Sequence, residues 1–371
     1  MSIKADMLKA ADAVLGRLLC LWPRSAPSPG GGDEPRRVLV IRPGGIGDAV
    51  LFIPMLEALR QSWPGAELEL LLERRNLGVI QPTGLADRIF LYDRFPRDLL
   101  ALLRRRYDVV IDTEQFHHLS AVVARWTGAP RRIGFGTNRR RRHLTEVVDY
   151  SHEVYEVRSF LDLARQATGR LPEWDPEQPF YPVAPEAAAF AEQALEPLKA
   201  RRIAVIHPGA SIPQRRWPPR RYGQLARMLV DDGLGVVILG GPSDGAAARE
   251  IHAAVAGAGA IDLAGRCSLA QAAAVVARAQ VYISADSGVL HLAYAVGTRT
   301  VHLFGPGVHA KWGPPGSRFR TIRTPVACSP CTRYGYTPPC NQQLACMMGI
   351  TPRQVYEAVL EQLRGSEEAP V

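Results

Sequence analysis

The stretch from Val38 to Arg60, VLVIRPGGIGDAVLFIPMLEALR, narrows the folds open to this chain more than any other. Val38 to Ile41 is a short apolar, mostly β-branched run, the pattern of a strand buried on both faces. A turn with glycines at 44, 45 and 47 follows, then an apolar segment long enough for a helix. Strand, glycine-rich loop and helix open a nucleotide-binding α/β unit. The glycines admit a phosphate or sugar to the backbone, and the helix start presents free N–H groups. Neither common fingerprint is present: G-x-G-x-x-G would need glycine at Val50, and G-x-x-x-x-G-K-[ST] is absent. Asp48 ends the loop, and spacing alone favours it as a helix cap over a general base. Pro54 predicts a helix that begins late or kinks there.

The same rhythm continues. Strand patterns at Glu67–Leu72, Arg88–Tyr92 and Asp108–Asp112 alternate with helical ones at Leu99–Arg106, from His118, and at Tyr155–Thr168. Prolines at 172, 176, 179, 182 and 185 mark an extended connection. Beyond it, strand patterns at Ile203–Ile206, Val236–Leu239, Ala260–Leu263, Val281–Ser284 and Thr300–Phe304 alternate with helices again. The expected class is α/β, as two Rossmann-like domains facing a cleft. The predicted segments are an N-terminal helix and linker (1–35), a first domain (36–175), a connection (176–200), a second domain (201–350) and a C-terminal helix (351–371).

In a chain of 371 residues there is room for two cores. Its net charge of +9 points to anionic partners: nucleic acid, anionic lipid or phosphorylated sugars. Asp6, Asp12 and Arg17 interrupt the N-terminal apolar pattern, so no secretory signal is read and the cytosol is the expected location. Ile3, Met7, Ala10, Val14, Leu18 and Leu21 recur at helical spacing, with Lys4, Lys9 and Arg17 largely elsewhere on the wheel. That helix would either lie on an anionic membrane or pack on protein.

Three loops of the second half follow strands, where open α/β sheets bind ligands. The first, His207-Pro208-Gly209-Ala210-Ser211, leads to Arg215 and Arg216, cations suited to a diphosphate. The second, Gly240 to Asp244, carries an acid within reach of a ribose hydroxyl. The third, Ala285 to His291, offers Asp286, Ser287 and Gly288 at a helix start, with cap and ordinary helix-histidine readings open for Asp286 and His291. In the first half, Asp112 to Gln115 sits at a strand end, as a capping turn or a ligand loop. The arginine run 139–142 reads as a solvated loop or an acceptor-holding patch. Cys328, Cys331, Cys340 and Cys346 form either a structural zinc or iron site or a set of reduced thiols.

RPGGIGDAVLFIPML, HPGAS with RRWP, and SADSGVLHLAYAVGTRTVHLFGP together resemble glycosyltransferase family 9, the ADP-heptose:lipopolysaccharide heptosyltransferases, in order across about Val38 to Val359. The resemblance implies a GT-B architecture whose C-terminal helix crosses back to the first domain. It implies an ADP-sugar donor and a lipid-linked or oligosaccharide acceptor, with inverting, metal-independent transfer of a heptose or related sugar. No Asp-x-Asp stands beside the donor loops, and no cofactor is expected for catalysis. The resemblance makes Asp48 the catalytic base and puts Arg215 where family members carry a diphosphate-steadying lysine. Gly209, Ser211, Asp244, Asp286, Ser287, Gly288 and His291 would hold the nucleotide-sugar. Gly45, Gly47, Gln115, Arg139 and Arg140 would hold the acceptor. A peripheral contact with the cytoplasmic face of the inner membrane is also expected. The alternatives are a nucleotide-sugar epimerase or hydrolase on the same scaffold, or a basic nucleic-acid-binding protein. Dispersed arginines and the lack of a helix-turn-helix weigh against the last, so no nucleic acid is expected.

Overall fold

The computed structural model describes residues 12, 16, 19, 34–255, 257 and 259–365, and the chain divides into two units between Trp174 and Asp175. In the first unit, β1 (Arg37–Arg42), β2 (Glu67–Leu72), β3 (Arg88–Leu91), β4 (Val109–Asp112), β5 (Arg131–Phe135) and β6 (Glu146–Val148) form one sheet. Its order is β3-β2-β1-β4-β5-β6, and every pairing is parallel. In the second, β7 (Ile203–His207), β8 (Gly235–Ile238), β9 (Ala260–Asp262), β10 (Val281–Ala285), β11 (Thr300–Leu303) and β12 (Phe319–Ile322) form another parallel sheet. Read from the other edge its order is β9-β8-β7-β10-β11-β12, the same topology repeated. Strand order reverses between β1 and β4 and between β7 and β10. The loops leaving those central strands diverge there and open a crevice at the carboxyl edge of each sheet.

Burial explains why these strands read as continuous apolar runs. Val38, Leu39, Val40 and Ile41 are fully buried. In β7, Ala204 and Ile206 enter one core cluster while Ile203 and Val205 enter the other, so alternate side chains feed opposite faces of one sheet. The helix after β1 is broken as Pro54 predicts. Ile46–Leu51 ends at Phe52, and Ile53–Ser62 begins with the proline in its first turn, where a missing N–H costs little. Strand β5 and the edge strands β6 and β12 escape the sequence reading because their sequences, RRIGF, EVV and FRTI, carry charge or are very short. An ion pair of 2.7 Å between Arg131 and Glu146 joins β5 to β6.

Helix Pro352–Arg364 is the C-terminal helix expected to cross back to the first domain. Its apolar stripe, Val355, Ala358, Val359 and Leu363, is buried in a core cluster of the second unit with Leu225, Val301 and Leu303. Most of the N-terminal amphipathic helix and linker lies outside the described residues. Asp12 is described: its Oδ1 accepts the backbone N–H groups of His118 and Leu119, both at 2.7 Å, and so caps helix Leu119–Trp126. Burial opposes that charge, but bonds from His117, His118 and Leu119 outweigh it and hold the carboxyl below its usual range. Among the described residues no helix is long and apolar enough to cross a membrane.

Candidate functional site

At the switch point of the first sheet, the loop after β1 faces the loop after β4. Gly44 adopts φ +117°, and a Cβ there would stand 2.8 Å from the Arg42 guanidinium, so only glycine suits the turn. Arg42 itself closes β1 and is buried. Its Nε donates to the Pro43 carbonyl at 2.7 Å and its Nη1 to the Thr113 carbonyl at 2.9 Å. Nη2 lies 3.8 Å from Asp48 Oδ2 and 3.7 Å from Glu114 Oε2, and the guanidinium sits over the Phe160 ring. Glu114 is locked in turn, since its Oε1 accepts from the N–H groups of Gln115 (3.0 Å), Phe116 (3.0 Å) and His117 (3.3 Å).

Asp48 is not the N-cap that spacing favours. Gly45 occupies that position, and Asp48 lies in the first turn of helix Ile46–Leu51, next to buried Gly47. About a fifth of its side chain remains accessible (21%). Burial raises its pKa above the usual carboxylate value; Arg42 opposes the shift and Glu114 adds to it. The result is a reachable carboxylate that takes up a proton more readily than an ordinary aspartate, fixed beside a cation that cannot lose its charge.

Gln115, expected near the acceptor, donates to Glu156 Oε1 at 2.5 Å, and Tyr150 donates to Glu156 Oε2 at 3.2 Å. The two arginines of the expected acceptor patch separate. Arg139 is exposed, whereas Arg140 is fully buried, paired with buried Asp112 and bonded to the His117 carbonyl at 3.0 Å. Arg140 therefore braces the β4 loop and is withdrawn from the ligand-binding set, because no face of it is left for an acceptor. Arg140→Met should destabilise the fold by about 3–5 kcal/mol by stranding Asp112 as an uncompensated buried charge. Arg139→Ala should stay within about 0.5 kcal/mol of the parent. Equal midpoints for the two variants in denaturant titrations would contradict this assignment.

The second sheet repeats the geometry with different chemistry. Gly209 follows β7, and a Cβ there would meet Asp244 Oδ2 at 2.5 Å, which explains the glycine and brings the first two loops together. Asp244 accepts the Gly241 N–H at 2.8 Å. Ser211 is exposed at the loop's far end. Arg215 Nη1 stands 2.9 Å from Asp286 Oδ2, beyond β10. Burial raises the Asp286 pKa and Arg215 opposes it. Ser287 is the N-cap of helix Gly288–Ala295 but makes no side-chain cap bond. Burial, then Arg215, lowers the His291 pKa to about 3, so the ring is neutral near pH 7. Ser287 Oγ, His291 Nδ1 and Arg215 Nε are all buried without a hydrogen-bond partner among the described residues. Such groups are costly unless a ligand meets them, and a cation, a free hydroxyl and a helix start suit a phosphorylated one. Arg216 plays another part, donating to the Ala210 carbonyl at 2.9 Å and pinning its own loop.

Of the expected site residues, the structure thus gathers Gly45, Gly47, Asp48 and Gln115 at one switch point. It gathers Gly209, Asp244, Arg215, Asp286, Ser287, Gly288 and His291 around the other. Glu114 belongs to the Asp112–Gln115 loop already singled out, whereas Arg42, Tyr150 and Glu156 are additions of the structure. A charged residue ending the buried run of β1 was the available signal for Arg42. Glu156 reaches Gln115 from 41 positions away and left no local sign. Burial raises the thiol pKa values of Cys331 and Cys346, and the neighbouring cysteines of the segment add to both shifts. Among the described residues, however, no three His, Cys, Asp or Glu side chains form a group able to hold a metal ion.

The family model for glycosyltransferase family 9 (heptosyltransferase) matches residues 97–340. Lipopolysaccharide heptosyltransferase 2 of Escherichia coli K12 is 28% identical over 356 residues, covering 90% of this chain and all of that protein. Lipooligosaccharide heptosyltransferase 2 of Haemophilus ducreyi is 26% identical, over 77% of this chain and 88% of its own. Among solved structures, E. coli ADP-heptose lps heptosyltransferase II superposes with a TM-score of 0.73 at 25% identity, over 89% of this chain and 99% of that one.

Proposed function

The chain belongs to glycosyltransferase family 9, the heptosyltransferases, and from that premise we propose that it moves a heptose from an ADP-sugar to a lipopolysaccharide core or similar lipid-linked glycan. The names of the E. coli relatives support the donor and the acceptor class. The observation that carries the proposal is the pair of switch-point loops. One holds a reachable, proton-hungry carboxylate; the other holds a cation and buried polar atoms without partners.

Asp48 takes the proton from an acceptor hydroxyl as its oxygen attacks the anomeric carbon. The new C–O bond forms as the bond to the diphosphate breaks, a single displacement that inverts the centre. Arg215 and the N–H groups of Ser287 and Gly288 balance the charge that collects on the departing ADP. Those protein cations and N–H groups do the work that a metal ion does elsewhere, so the proposed transfer is metal-independent. In this reading Asp244 accepts a hydrogen bond from a ribose hydroxyl of the donor. The reaction would take place on the cytoplasmic side of the inner membrane, where the enzyme meets a lipid-linked acceptor peripherally.

ADP release measured with ADP-heptose, with and without acceptor, separates the readings. The proposal expects ADP only when acceptor is present. Equal release without it would make the protein a hydrolase, and an isomerised sugar without ADP would make it an epimerase.

The cysteine segment carries a smaller proposal, that its four thiols close on a structural zinc or iron outside the reaction. Protein purified under reducing conditions should then hold about one metal ion per chain and melt lower after chelation. Metal-free protein whose melting is unchanged by chelator would end that part.

A further inference from the structure

The segment from Arg94 to Arg106, RFPRDLLALLRRR, presents two surfaces. Helix Arg97–Leu103 turns Leu102 into the first core, with Leu99 and Leu103 packed partly against it. On its other side, Phe95 is 72% exposed and Leu100 48%. The Leu100 N–H reaches the Pro96 carbonyl (2.9 Å) and the Arg104 N–H reaches the Leu100 carbonyl (3.2 Å). Arg97, Leu100 and Arg104 therefore share one helical face that begins beside Phe95. Arg94, Arg97 and Arg104 are exposed, and none has an acidic partner among the described residues. The two nearby acids are spent internally: Asp93 holds Arg74, and Asp98 accepts the Leu91 N–H at 3.0 Å.

The position of this patch gives it meaning. Phe95 follows β3 at the carboxyl edge of the first sheet, the edge that carries Asp48. Two hydrogen-bonded steps tie the loops together. The Gly44 N–H donates to Glu73 Oε1 at 3.1 Å, and the Arg74 N–H, one residue on, donates to Asp93 Oδ1 at 3.0 Å.

We propose that Phe95 and Leu100, ringed by Arg94, Arg97 and Arg104, are the footing by which the first unit rests on an anionic lipid bilayer. Exposed apolar side chains among unpaired cations match a bilayer interface, with apolar chains below and anionic headgroups around them. The surface stands on its own observations. Its purpose, to bring a membrane-borne acceptor to the Asp48 edge, rests on the function proposed above. This footing is built from residues of the described fold alone.

Sedimentation of the full chain with phosphatidylglycerol vesicles and with phosphatidylcholine vesicles tests it. No donor or acceptor is present, so the result holds whatever the protein transfers. The chain should sediment with the anionic vesicles and stay in solution with the neutral ones. Three cations near an anionic surface contribute about 1 kcal/mol each, so Arg94→Glu/Arg97→Glu/Arg104→Glu should weaken partitioning by about a hundredfold or more. Phe95→Ser/Leu100→Ser should weaken it by about tenfold or more. Both variants should melt like the parent, since the altered side chains are exposed. The footing is overturned if the parent stays in solution with both lipids, or binds both equally. Parent-like sedimentation of both variants also overturns it, and would assign any binding to another segment, the first thirty residues being the one to delete next.

Discussion

Asp48→Asn is expected to lower kcat by about a hundredfold or more while leaving donor affinity nearly unchanged. Asparagine keeps the shape of the side chain and can still accept from the Gly45 backbone, but it cannot take a proton. Loss of the charge should not unsettle the loop. Arg42 retains Glu114, the Pro43 carbonyl and the Thr113 carbonyl, so the guanidinium is not stranded. The pH profile adds a second check. The Asp48 pKa is raised in the folded protein by burial, with Glu114 adding to it and Arg42 opposing. A base must be ionised to act, so the rate should climb with pH through that raised pKa, higher than an unperturbed aspartate would titrate. Arg75, Tyr150 and, across Arg42, Glu156 are the other charged or titratable groups around it. A variant with near-parental turnover, or one that loses turnover but keeps the acid limb, would remove Asp48 from the chemistry.

How much of this was legible in the sequence depended on how local the cause was. Strands such as β1 and β7 are buried on both faces and announce themselves as apolar runs, and the glycines of the first loop announce a close approach. The repeated strand order makes the positions of Asp48 and Asp286 intelligible: each follows a strand next to the point where the order turns back. Charge was harder to read. Arg139 and Arg140 are adjacent and chemically identical, yet one is solvated while the other is sealed against Asp112, because Asp112 lies on β4 and only folding brings it there. That Asp48 and Glu114 converge on Arg42 is hidden in the sequence for the same reason. The C-terminal helix shows the converse limit. Its amphipathic stripe predicts a buried face, but periodicity cannot say which unit supplies the other side.

Arg215→Ala should cut kcat/KM for the nucleotide-sugar by about ten- to a hundredfold, the range for losing one charge-assisted contact to a diphosphate. The substitution also strands Asp286, which is buried and answers to Arg215 in the structure, so some stability should go with it. Those two effects can be separated. Arg215→Ala combined with Asp286→Asn removes the buried charge along with its partner, and should melt closer to the parent than Arg215→Ala does while remaining slow. Recovery of activity in that double variant would mean that Arg215 acts only by neutralising Asp286. Arg216→Ala supplies the contrast: its Nε is engaged with the Ala210 carbonyl, so its loss should loosen the loop and raise KM by a few-fold at most. Lysine at position 215 then decides what the diphosphate reads. A point charge on a flexible stem restores the Coulombic part but not the planar fork. Parent-like rates in Arg215→Lys would show that charge alone suffices, whereas rates near those of Arg215→Ala would show that this loop is built for the fork.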